Sequence, residues 1–88
     1  MYEYMTLGTD TLVVHSPIEI ENGIETIRVL IERPTDRGFQ TLMVRLPDYK
    51  ILMREDYNDE EVNYLMSIVR ANASSMFEYA KLGGIKNA

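Results

Sequence analysis

The hydrophobic pattern changes period once along the chain. Up to residue 54 the apolar positions come in short runs. These are cut by turn signals at Gly8-Thr9-Asp10, Ser16-Pro17, Asn22-Gly23, Pro34-Thr35-Asp36-Arg37-Gly38 and Pro47-Asp48. Residues 11–15 are rich in β-branched side chains and predict a short strand. In residues 39–46, Leu42, Val44 and Leu46 alternate with Thr41, Met43 and Arg45, the period of a strand with one buried face. Residues 49–54 alternate again, with Ile51 and Met53 opposed to Lys50, Leu52 and Arg54.

From Asn58 the period becomes helical. Val62, Leu65, Met66, Val69, Ala73, Met76, Phe77 and Ala80 recur at spacings that build one apolar stripe. Asn58 suits the N-cap, and Glu61 stands where it can return the hydrogen bond. Asp59, Glu60 and Glu61 occupy the first turn, where the positive end of the helix dipole favours them. Lys81 and Gly83 mark the other end. The helix predicted over 58–82 would run roughly 35 Å at 1.5 Å per residue. That is longer than a strand, so the helix is expected to overhang its sheet.

Residues 18–33 fit two patterns. Ser16-Pro17-Ile18-Glu19 has the form of a capping box, and Ile20, Ile24, Ile27 and Ile31 share a helical face. Against this, Asn22-Gly23 is a two-residue hairpin signal flanked by alternating residues. Seven of the fifteen residues from 18 to 32 are Ile, Val or Thr, which favour strands. Gly23 in mid-helix would cost about 1 kcal/mol relative to Ala. The hairpin is the preferred reading, and it calls for a bulge near Glu25 or Thr26 to bring Ile24 into phase. The expected fold is then α+β. It is one domain with a small antiparallel sheet of three to five strands packed against one long C-terminal helix. Residues 1–23 form an N-terminal segment with a short strand, 24–54 the antiparallel strands, and 58–82 the helix.

Composition narrows the chemistry. The 88 residues suffice for one domain with a modest core. Fourteen acidic and nine basic residues give a net charge of −5, which argues against direct nucleic-acid binding. No cysteine is present, so disulfides and thiol chemistry are excluded. No run approaches the roughly 20 apolar residues that span a bilayer, and no secretory leader pattern opens the chain. A cytoplasmic location is expected, with no membrane partner.

The candidate catalytic and metal groups are weak. The acidic run from Glu55 to Glu61 has alternate acids, but Glu61 and Ser67 stand where a calcium loop needs Gly and a bidentate acid. It reads as a charged helix start. His15 is the only histidine, and its neighbour Ser16 precedes Pro17 and reads as a turn residue, not a nucleophile. Glu19 and Glu21 alternate as on a solvated strand face. No catalytic residue, cofactor or metal site is expected.

The surfaces are more informative. If the helix covers Val29, Val44 and Ile51, the other sheet face carries Arg28, Leu30, Phe39, Thr41, Met43, Arg45, Lys50, Leu52 and Arg54. A half-apolar, basic-rimmed face of this kind marks an interface, unless residues 1–23, with Tyr2, Tyr4, Met5 and Leu7, fold over it. A second helix stripe holds Tyr64, Ile68, Ser75 and Tyr79, and tyrosines are enriched at interfaces. Leu30, Phe39, Met43, Arg45, Leu52, Arg54, Tyr64, Ile68 and Tyr79 are therefore the expected partner-binding residues.

From Ile24 the order is strand, Gly-containing turn, strand ending in Leu46-Pro47-Asp48, short strand, then a helix opening with Glu60-Glu61-Val62. Over residues 24–82 this resembles the partner-binding domain of HicB-type antitoxins. The chain departs from that pattern after Pro47-Asp48, where Lys50-Ile51-Leu52-Met53 replaces a Gly-rich stretch, and Val62 replaces an alanine. The resemblance implies neutralisation of a toxin by protein contact. The expected function is a small acidic protein-binding domain, acting as inhibitor, antitoxin or regulatory subunit, with homodimerisation through the sheet face or the helix. An acidic mimic that inhibits a nucleic-acid enzyme, and an enzyme subunit with its site at a dimer interface, are the alternatives.

Overall fold

The computed structural model describes residues 1–84. Six strands and one helix follow in chain order: β1 (Tyr2–Leu7), β2 (Thr11–His15), β3 (Glu19–Glu21), β4 (Ile24–Thr35), β5 (Gly38–Leu46), β6 (Lys50–Glu55) and α1 (Asp59–Lys81). All the pairings are antiparallel. The sheet runs β1-β2-β4-β5-β6, and β3 continues alongside the start of β4. The fold is the expected α+β, with six strands instead of three to five.

Residues 18–33 contain the hairpin. Asn22 and Gly23 take φ values of 51° and 77°, the two left-handed residues that a tight primed turn requires. The bulge expected near Glu25 is not found, because Glu19, Ile20 and Glu21 pair in unbroken register with Thr26, Glu25 and Ile24. Ile24 is out of phase with the core simply because it is exposed.

One face of the sheet carries the core. Ile27, Val29 and Ile31 of β4 and Leu42, Val44 and Leu46 of β5 are fully buried. Over them lie Val62, Leu65, Met66, Val69, Met76 and Ala80 of α1. The helix begins with the reciprocal cap expected of Asn58 and Glu61. It is tied to both edge strands: Arg54 of β6 reaches Asp59 at 2.7 Å, and Tyr79 packs on Tyr4 of β1 with ring centroids 6.0 Å apart. Beyond the helix, Gly84 sits against Tyr2, so closely that a Cβ there would lie 2.8 Å from the tyrosine ring.

Residues 1–23 do not fold over the sheet. They widen it, with Tyr4, Met5 and Leu7 packed toward the core on the helix side.

Candidate protein-interaction surface

The second face of the sheet has no element over it among the described residues. Its side chains are fixed by register. Leu30 of β4 pairs with Val14 of β2 and Met43 of β5, and Met43 pairs with Met53 of β6. Cross-strand partners point to the same face. Val14, Leu30, Met43 and Met53 therefore form one apolar row across four strands. Met53 is 42% exposed and the other three are half-buried.

The neighbouring rows are charged with opposite sign. On one side Arg28, Arg45 and Lys50 are aligned; on the other stand Leu12, Glu32, Thr41 and Glu55. Phe39, 55% exposed, extends the apolar surface beyond Thr41.

The arginines are held by acids from the chain itself. Arg28 makes a forked pair with Glu19 at 2.8 and 3.1 Å. Arg45 bonds Asp48 at 2.6 Å and Glu21 at 2.8 Å. Hydrogen bonds from Arg28 hold the Glu19 carboxyl below its ordinary value, and those from Arg45 do the same to Asp48. Among the described residues, Lys50, Glu32 and Glu55 have no ion-pair partner.

The structure brings Leu30, Phe39, Met43 and Arg45 together on this face, as the alternation predicts. Arg54 requires a correction. The β5–β6 register shifts between Met43 and Val44, so Met53 opposes Met43 while Ile51 opposes Val44, and Leu52 is the extra residue of a bulge. Past the bulge the phase is reversed. Met53 joins the uncovered face. Arg54 opposes buried Leu42 on the helix side, where it donates to the Tyr57 carbonyl at 3.1 Å. Leu52 is exposed at the edge. Tyr64, Ile68 and Tyr79 are on α1, away from this face. Tyr79 is half-buried against Tyr4, Ile68 is half-buried, and Tyr64 is exposed. The sequence reading missed Leu12, Val14 and Met53. The first two alternate within a strand already recognised, and only its place beside β4 was missing.

Other features lie on the helix side. A cleft of about 340 Å³ is lined in part by Leu7, Arg33, Tyr57, Glu60 and Tyr64. Burial there pushes the Tyr57 hydroxyl pKa up. His15 is fully buried, with Nδ1 at 2.9 Å from the Ser16 carbonyl oxygen. The carbonyl can only accept, so Nδ1 carries the proton. Among the described residues no three His, Asp or Glu side chains cluster as metal ligands, and no helix is long and apolar enough to cross a membrane. No protein-family model, no curated protein and no solved structure matches this chain.

Proposed function

We propose that the chain is a protein-binding module, acting as an inhibitor, antitoxin or regulatory subunit, whose partner docks on the uncovered face of the sheet. The observation that carries this reading is the Val14–Leu30–Met43–Met53 row. A solvated sheet face alternates to polar residues, and this one places four apolar side chains side by side at its centre. Binding would draw its free energy from burying that row, at about 25 cal/mol per Å² of apolar surface. The flanking charges would set orientation and rate more than affinity. The element order β4-β5-β6-α1 is also the one on which the likeness to the partner-binding domain of HicB-type antitoxins rests.

The test is a comparative capture experiment with wild type and Met43→Glu, at low and high salt. Met43 faces away from the helix, so the variant is expected to keep the wild-type far-UV circular dichroism spectrum. A partner retained by wild type at high salt should be lost from the variant. A buried unpaired carboxylate costs about 3 kcal/mol, or roughly 100-fold in affinity. Capture of the same proteins by both would reject this face. A partner released from wild type by salt alone would favour the acidic-mimic reading.

A further inference from the structure

We infer that one occupant of the uncovered face is a second copy of this chain, stacked face to face about a two-fold axis that runs along the apolar row. The inference rests on the docking reading above and names its partner. Its basis is the order of the three rows: basic residues Arg28, Arg45 and Lys50, then apolar Val14, Leu30, Met43 and Met53, then Glu32 and Glu55.

Two identical sheets can be laid face to face about two kinds of in-plane two-fold axis. An axis parallel to the strands places basic row on basic row and acidic row on acidic row. An axis along the apolar row, perpendicular to the strands, exchanges the flanks. Each apolar residue then meets its own copy, while Glu32 falls over Arg28 of the second copy and Glu55 over Lys50. An isologous interface of this kind closes at two subunits. Sheets stacked this way pack aligned within about 30°, which keeps facing rows in opposition.

The flanking rows are about 13 Å apart at 3.3 Å per residue. Each charge therefore stands about 7 Å from the axis on its own side. The Lys50–Glu55 pair carries most of the complementarity. Both residues are on β6, both are exposed, and neither has an ion-pair partner among the described residues. Arg28 and Arg45 contribute less, because Glu19, Glu21 and Asp48 already neutralise them. The two-fold axis makes the Lys50–Glu55 contact twice per dimer.

Sedimentation equilibrium on wild type, Lys50→Glu, Glu55→Lys, the double exchange and Met43→Glu decides the matter. Wild type should reach the dimer mass. Each single charge reversal should weaken association by at least roughly tenfold, since two attractive contacts become repulsive. The double exchange should recover the dimer. An equimolar mixture of the two single variants should also associate. In the mixed dimer both acids of the Lys50→Glu chain face lysines of the Glu55→Lys chain, so both contacts are attractive again. A merely structural role for either residue would not make two weakened variants rescue each other. A wild type that stays monomeric at all concentrations overturns the inference, while the docking reading stands or falls on Met43→Glu capture. A dimer lost in Met43→Glu but indifferent to both charge reversals keeps the face and rejects this axis. A dimer indifferent to all the variants places self-association elsewhere.

Discussion

Among the described residues, two buried side-chain polar atoms, Tyr57 Oη and His15 Nε2, find no hydrogen-bond partner. His15 Nδ1 donates to the Ser16 carbonyl, and the imidazole packs edge-on against the rings of Tyr2 and Tyr4, at centroid distances of 5.6 and 6.0 Å. The sequence reads His15 as a strand-end residue, and it is the last residue of β2. Its complete burial was not legible, because the cover comes from β1. Tyr57 has a ring in the core and a hydroxyl that burial penalises without return. Tyr57→Phe keeps the ring and removes the orphaned oxygen. Urea unfolding should show it about 1 kcal/mol more stable than wild type. A loss of stability would mean that the hydroxyl bonds an ordered water.

At the scale of elements, local signals were the legible ones. Asn22-Gly23 specifies the β3–β4 turn, and Asn58 with Glu61 specifies the start of α1, because each acts through atoms a few residues apart. The β6 bulge was not legible. It is a property of the β5–β6 pairing, and it moved Met53 and Arg54 to the opposite faces from those their alternation implied. β3 is a three-residue strand, short enough that its side-chain ties matter. The Glu19–Arg28 fork and the Glu21–Arg45 contact fasten it to β4 and β5. Glu19 has a lowered pKa in the folded chain. Its contribution is therefore full above its ordinary, unfolded value and is lost as the pH falls through the lower folded value. Unfolding free energy should decline on acidification below the ordinary glutamate value of 4.5. Arg28→Met should show a shallower decline over the same window in urea titrations at stepped pH. Equal slopes would assign the acid sensitivity to other carboxylates.

Across the whole molecule, the covered face of the sheet was readable and its width was not. The 3.6-residue stripe of α1 and the alternation of β4 and β5 point to one another, which fixes the core. β1 escaped notice because a register shift between Glu3 and Met5 places Tyr4 and Met5 both toward the core, breaking the alternation that announces a strand. With β1 unseen, the position of β2 beside β4 was also unseen, and with it half of the apolar row. The contact of Gly84 with Tyr2 joins segments from opposite ends of the described chain and adopts a φ of 98°, which side chains other than glycine rarely take. A contact of such long sequence separation carries a high loop-closure cost, so it should form after the β4–β5 hairpin has nucleated the sheet. Gly84→Ala should then act on one limb of the chevron alone. Unfolding should accelerate roughly tenfold, for about 1.4 kcal/mol of strain, while the refolding rate is unchanged. Equal slowing of the refolding limb would place this closure inside the transition state, and the chain would have to find both its ends before the sheet could grow.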